Sequence, residues 1–135
     1  MSYLLDANAF IDPMRNGPKS TVTVRMLASP PRSIRLCSVV RGELIYGAIR
    51  SGPANEPANR ARIAHLSVHF GSVPYDDAAA EEYGKVRAYL TNAGQLIGAN
   101  DMLIAAIAPA YGMTLVTHNT AEFSRVPGLK LEDWQ

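Results

Sequence analysis

Gly98-Ala-Asn-Asp101-Met-Leu-Ile-Ala-Ala-Ile-Ala108 is the stretch whose reading decides the fold. From Met102 onward it is almost wholly apolar and built of good helix formers, so it predicts a buried helix. Asp101 stands at the mouth of that helix, where unsatisfied amides favour negative charge. Asn100 or Asp101 as a simple N-cap would account for one acid. Asp6 and Glu43, however, occupy comparable places beside two other apolar segments. Three acids, each at the edge of a core element, suggest one shared cation.

Upstream, Ser2-Tyr-Leu-Leu-Asp6 is a short apolar run ended by an acid, which reads as a buried strand with Asp6 at its C-terminal tip. Ligands of open α/β sheets gather at that edge. Asn8 either places a neutral oxygen beside the same site or caps the next helix, capping being the commoner use. Asn16-Gly-Pro18 marks a turn, and Ser20–Ala28 predicts a short helix stopped by Pro30-Pro31. Ile34–Cys37 reads as a second strand. Ser38 is positioned to cap a helix over Val39–Arg50, with Val40, Leu44 and Ala48 at helical spacing. Gly42 and Gly47 beside Glu43 would permit close backbone approach. Ser51–Pro57 is a surface loop, and Ala58–Phe70 a further helix. There His65 and His69 share a face, but lack a third metal ligand.

Downstream the pattern continues. Ser72-Val-Pro74 is a strand remnant, and Asp76 or Asp77 caps a helix reaching Asn92. Pro109 and Gly112 end the helix that starts near Gly98. Thr114-Leu-Val116 is a compact strand. Thr117–Phe123 forms a polar break, on the Asp6 edge if the strands run parallel. Leu129–Leu131 adds an edge strand, and Trp134 packs near the terminus. Short strands alternating with helices predict one α/β domain over residues 1–135, with a short parallel-stranded central sheet flanked by helices and right-handed crossovers.

Composition agrees with a globular chain. Of 135 residues, 47% are hydrophobic and 19% charged, enough for a core without staples. Cys37 is the single cysteine, so no intrachain disulfide forms and a packed thiol is expected. No run resembles a signal-peptide core or a membrane span, which predicts a cytoplasmic protein. The net charge of +1 does not advertise nucleic-acid binding, although Arg, suited to bidentate phosphate contacts, outnumbers Lys.

Carboxylates crowded into one pocket must share protons or bind a cation. Oxygen-only ligation selects hard ions such as Mg²⁺ or Mn²⁺, which accept phosphate oxygens and activate water. Four local motifs sharpen this. Tyr3-Leu-Leu-Asp6-Ala-Asn8, Ser38-Val-Val-Arg-Gly-Glu43-Leu44 with Gly47, Asn100-Asp101-Met-Leu-Ile-Ala-Ala106, and Val116-Thr-His-Asn119-Thr-Ala-Glu122-Phe123 occur in that order. Together they resemble the PIN-domain family, specifically the VapC-type toxins of toxin–antitoxin modules, over nearly the whole chain.

The resemblance implies an endoribonuclease dependent on Mg²⁺, with Mn²⁺ able to substitute, that hydrolyses RNA. It implies a VapB-like antitoxin, offering an Arg to the acids and a hydrophobic helix to a groove, and a homodimer. Asp6, Glu43 and Asp101 match the family's three acids, serving as metal ligands and catalytic residues. Asn8 matches the polar position beside the first, and Ser38 the small hydroxyl residue ahead of Glu43. Asn119 falls where an Asp often stands, giving a metal ligand without charge. Glu122, one turn on, can supply the missing carboxylate. An aspartate-nucleophile phosphohydrolase would want an acid at position 8. A catalytically weak PIN-like module, binding RNA or a protein without cleavage, is the other alternative.

Overall fold

The computed structural model describes residues 1–135. In chain order the elements are β1 (Tyr3–Leu5), α1 (Ala7–Asn16), α2 (Thr21–Ala28), β2 (Ile34–Cys37), α3 (Ser38–Arg50), α4 (Glu56–Phe70), β3 (Ser72–Val73), α5 (Asp77–Asn92), α6 (Ala99–Ala110), β4 (Thr114–Val116), α7 (Thr120–Phe123) and β5 (Leu131–Glu132). The five strands form one sheet in the order β3-β2-β1-β4-β5, and every pairing is parallel. Strands covered by helices on both faces must be apolar throughout rather than alternating. Leu4, Leu5, Leu36, Leu115 and Val116 accordingly lie fully in the core.

Helix α6 behaves as its sequence predicts. Met102 and every residue from Ile104 to Ala108 are buried, and the alanines allow close helix packing. Pro109 falls in the last turn, and Gly112 follows with φ 65, a left-handed conformation that ends the helix without Cβ strain. Neither Asn100 nor Asp101 caps this helix; the N-cap is Gly98, which has no side chain to offer. Asp101 is therefore not spent on capping.

Several local expectations are corrected. Asn8 is not a cap: helix α1 begins at Ala7, and Asp6 itself accepts from the Ala9 N–H. Ser38 does not cap α3 either. Cys37 holds the N-cap position, its Sγ 3.5 Å from Val40 N, while Ser38 Oγ accepts from the Tyr75 N–H at 3.2 Å and ties the start of α3 to the chain after β3. Gly42 and Gly47 face open space, since a Cβ at either would meet nothing within 4 Å. Helix α4 starts at Glu56, two residues earlier than its pattern suggests, because Pro57 suits the first turn. His65 and His69 stack on each other on the surface, their ring centroids 6.1 Å apart.

The edge strand β5 lies at Leu131–Glu132, slightly beyond its sequence position. Trp134 packs edge-on against Tyr3 at 5.0 Å, with the Arg25 guanidinium 5.2 Å over its ring and Arg25 paired to Glu132 at 2.8 Å. These contacts hold the chain end against β1. No helix is long and apolar enough to cross a membrane.

Candidate active site

Parallel strands place all their C-terminal ends at one edge, and β1 lies in the middle. The chain leaves β1 for β2 and β3 on one side, then returns to β4 and β5 on the other. A crevice opens where such a sheet changes direction, here between β1 and β4. Asp6 lies at its mouth, 8% exposed. Its Oδ1 accepts from Ala9 N at 3.0 Å, and its Oδ2 accepts from the Thr117 hydroxyl. The register explains that partner, because Leu5 stands opposite Val116 and so Asp6 meets Thr117. Burial raises the Asp6 pKa. Hydrogen bonds from Thr117, Ala9 and Asn8 oppose the rise, and the charge of Asp133 adds to it.

Glu43 comes from α3, on the turn after the buried Val40 and beside the buried Leu44, which turns it toward the same edge. Its pKa is raised, first by burial and then by the charge of Asp6, while a hydrogen bond from Asn100 restrains it. Asp101, in the first turn of α6, is pushed up to about 6. Burial is the main cause, followed by a hydrogen bond with Glu122 and then the charges of Glu122, Glu43 and Asp6. Asn119 precedes α7, and its Nδ2 donates to Glu122 Oε2 at 2.6 Å. Its backbone N–H donates to Thr117 Oγ1 at 3.0 Å.

Asp6, Glu43, Asp101 and Glu122 therefore share one electrostatic field, although they come from four elements. Asn119 joins them through Glu122. Asn8 reaches Asp6 through its backbone only, and its side chain is exposed. Ser38 is engaged with Tyr75 instead. Thr117 and Asn100 are the polar partners that the motifs alone did not single out. The signal for Thr117 was its place directly after a strand adjacent to β1; for Asn100 it was proximity to Asp101.

The donor chemistry fits a hard cation. Every polar atom in the cluster is oxygen or amide, with no imidazole or thiol among them. No three His, Cys, Asp or Glu side chains close into a ready-made ligand cage. The pKa values are raised chiefly by burial and secondarily by the neighbouring acids, and a cation among them would offset both.

A parallel sheet of this order with acids converging on its switch point is compatible with a PIN-type domain, and the comparison with known families selects that class. The PIN domain family model matches residues 3–129. The chain belongs to the PIN domain family. It is 37% identical over 134 residues to a tRNA(fMet)-specific endonuclease VapC from Shigella flexneri, with 99% of this chain and 98% of that protein covered. The crystal structure of DNA-bound VapBC from Salmonella typhimurium superposes with a TM-score of 0.90 at 31% identity, covering 100% of this chain and 99% of the other. That of VapBC2 from Rickettsia felis, bound to a promoter DNA fragment, gives 0.88 at 32% identity with 100% of both chains covered.

Proposed function

We propose that this chain acts as a single PIN unit over residues 1–135, a VapC-like ribonuclease toxin that hydrolyses RNA phosphodiester bonds and is restrained by a VapB-like antitoxin. The observation that carries this reading is the convergence of Asp6, Glu43, Asp101 and Glu122 at one sheet edge, in a chain 37% identical to a protein named as a tRNA(fMet)-specific endonuclease. Asp6, Glu43 and Asp101 would hold a Mg²⁺ or Mn²⁺ ion, with Glu122 and Asn119 completing its surroundings. When bound, that ion supplies charge to a developing phosphorane and lowers the pKa of water.

The remaining roles fall to side chains. Thr117 donates to Asp6 and locks its rotamer, so the carboxylate is pre-oriented rather than free to rotate. Asn119 holds Glu122 in the same way, and Asn100 lies beside Glu43 and restrains the rise of its pKa. Asp101, its carboxyl pushed up to about 6 mainly by burial and further by Glu122, is the acid of the cluster that a bound cation would relieve most. Beside Glu43 lies an apolar groove of about 360 Å³ that includes Ala7, Ile11, Leu44, Ala48 and Ile63, with Arg15 and Arg62 also lining it. A hydrophobic helix of the antitoxin fits that groove and can direct a cationic side chain at the neighbouring acids.

Incubating the purified, antitoxin-free chain with a tRNA(fMet) transcript and a short fluorogenic RNA tests the reading, using Mg²⁺, Mn²⁺ and EDTA in parallel with Asp101→Asn. Cutting that needs the metal and disappears in the variant is expected. Silence of the wild type on both RNAs, or equal cutting by the variant, would sink it. The second reading, a module that binds RNA without cleaving it, draws on Asn119 standing where a charged ligand often does. The Glu122 carboxylate beside it weighs against that alternative.

A further inference from the structure

Thr117 ties the acid cluster to the edge of the sheet. It is buried, and its hydroxyl donates to Asp6 Oδ2 while accepting from the Asn119 N–H at 3.0 Å. Its own N–H donates to the Glu132 carbonyl at 3.0 Å, where the pairing of β4 with β5 ends. Asp6, Asn119 and β5 are thus joined through one residue. Strand β5 is two residues long, half-buried and at the edge of the sheet. So short a parallel pairing holds little by itself.

Side chains supply the rest. The Glu132 carboxylate accepts on one oxygen from Arg25 Nη2 at 2.8 Å and from Trp134 Nε1 at 3.1 Å. Trp134 is buried edge-on against Tyr3 of β1, and the Arg25 guanidinium covers its ring. Beside this clamp, His118 Nδ1 meets Asp133 Oδ2 at 2.9 Å, so the residue after Thr117 is bonded to the residue after Glu132. A half-exposed ion pair such as Arg25–Glu132 contributes little to global stability. Its consequence is local, because it decides whether the Glu132 carbonyl stays opposite the Thr117 amide.

We propose that Glu132, anchored by Arg25 and Trp134, is a positioning residue for the acid site, acting through Thr117 on Asp6 and Asn119. The inference rests on the ribonuclease reading for the cation that Asp6 would hold. With the clamp open, Thr117 can turn away. Asp6 Oδ2 then loses its donor and the Asn119 amide its acceptor, while Asp6 Oδ1 keeps the Ala9 N–H. The fold survives, and one of the two tethers on the carboxylate is lost.

The test combines Mn²⁺ affinity, by isothermal titration calorimetry, with amide exchange of the metal-free chain, by NMR. Glu132→Ala should weaken Mn²⁺ binding by about three- to tenfold, somewhat less than loss of a ligand's direct partner. Its Thr117 and Asn119 amides should exchange at least about tenfold faster, with those of α6 unchanged. Arg25→Ala, which removes one anchor from the surface, should act in the same direction and serves if Glu132→Ala fails to fold. Glu132→Gln can still accept from Arg25 and Trp134 and should recover most of both losses. Since it lacks the charge, that recovery excludes a plain electrostatic effect of Glu132 on the ion. In a Thr117→Val background, Glu132→Ala should change Mn²⁺ affinity by less than about twofold, the path being already cut. Unchanged Mn²⁺ affinity in Glu132→Ala and Arg25→Ala would overturn the inference. So would a Glu132→Gln variant as weak as Glu132→Ala, or an undiminished effect in the Thr117→Val background. A wild type that binds no Mn²⁺ would sink the metal reading instead; unchanged exchange of the Thr117 and Asn119 amides would then overturn the positioning role, and faster exchange would uphold it.

Discussion

The beginnings of α1 and α6 look alike in sequence and differ in physics. Each places an aspartate at a helix mouth beside an apolar run. Asp6 is the N-cap of its helix, nearly buried, and bonded by Ala9 N and the Thr117 hydroxyl. Asp101 sits inside the first turn of α6 behind a glycine cap and meets another acid rather than a donor. The first carboxylate serves the fold as well as the site. The second is a burden on the fold that only the site can justify.

The strongest way to break this contrast is to remove each acid in turn. Asp6→Ala and Asp101→Ala should both lower RNA cutting by more than about a hundredfold, since even outer partners of metal ligands are worth 10–100-fold. Their stabilities should diverge. Loss of the Asp6 cap costs about 1–2 kcal/mol in denaturant unfolding, whereas Asp101→Ala relieves repulsion and should leave stability unchanged or improved. Equal destabilisation of the two variants would show that the contrast is false.

Thr117→Val tests the other half of the Asp6 argument. It leaves a buried carboxylate oxygen without its donor and should cost about 1–3 kcal/mol, with a loss of cutting that added Mg²⁺ only partly restores. Glu122→Gln sharpens the Asp101 side. It should reduce cutting by about tenfold and return the Asp101 titration, followed by NMR, toward the ordinary carboxylate range. An Asp101 titration that stays at about 6 in that variant would assign the shift to burial alone.

The smallest effect is on thermal stability against pH. Asp101 has a folded pKa of about 6 against an ordinary value of 3.8, so the fold prefers its protonated form. That contribution is complete below the ordinary value and is lost as pH rises through about 6. The metal-free protein should therefore melt lower at pH 7.5 than at pH 5, by about 2–6 °C. Asp101→Asn should reduce the difference, leaving the part that the raised Asp6 and Glu43 contribute in the same direction, and Mg²⁺ should offset it at pH 7.5 by binding the native state. A wild-type melting temperature independent of pH across this interval would contradict the raised pKa.

The alternation of short apolar strands with helices was legible along the chain, as were the edge position of Asp6 and the buried character of α6. The capping assignments were less so. Asn8 and Ser38 are good capping residues by type, but Asp6 and Cys37 occupy the cap positions because the helices begin directly at the strand ends. A preference for a residue type says little about a boundary one or two positions away. The two glycines flanking Glu43 suggested a tight contact, yet they face open space, because α3 is covered on one side only.

The sequence by itself determined which segments are apolar enough to be buried and which acids stand at their ends, since both are local properties of composition and period. It did not determine that Asp6 meets Thr117, that Glu43 meets Asn100, or that Asp101 meets Glu122. Those pairs are 111, 57 and 21 positions apart, and they exist only once β1 settles between β2 and β4 in a particular parallel register. Nor did it determine that Arg25 and Trp134 converge on Glu132. An arginine is free or paired according to what the sheet and its loops bring beside it, and that is decided by packing across the whole chain.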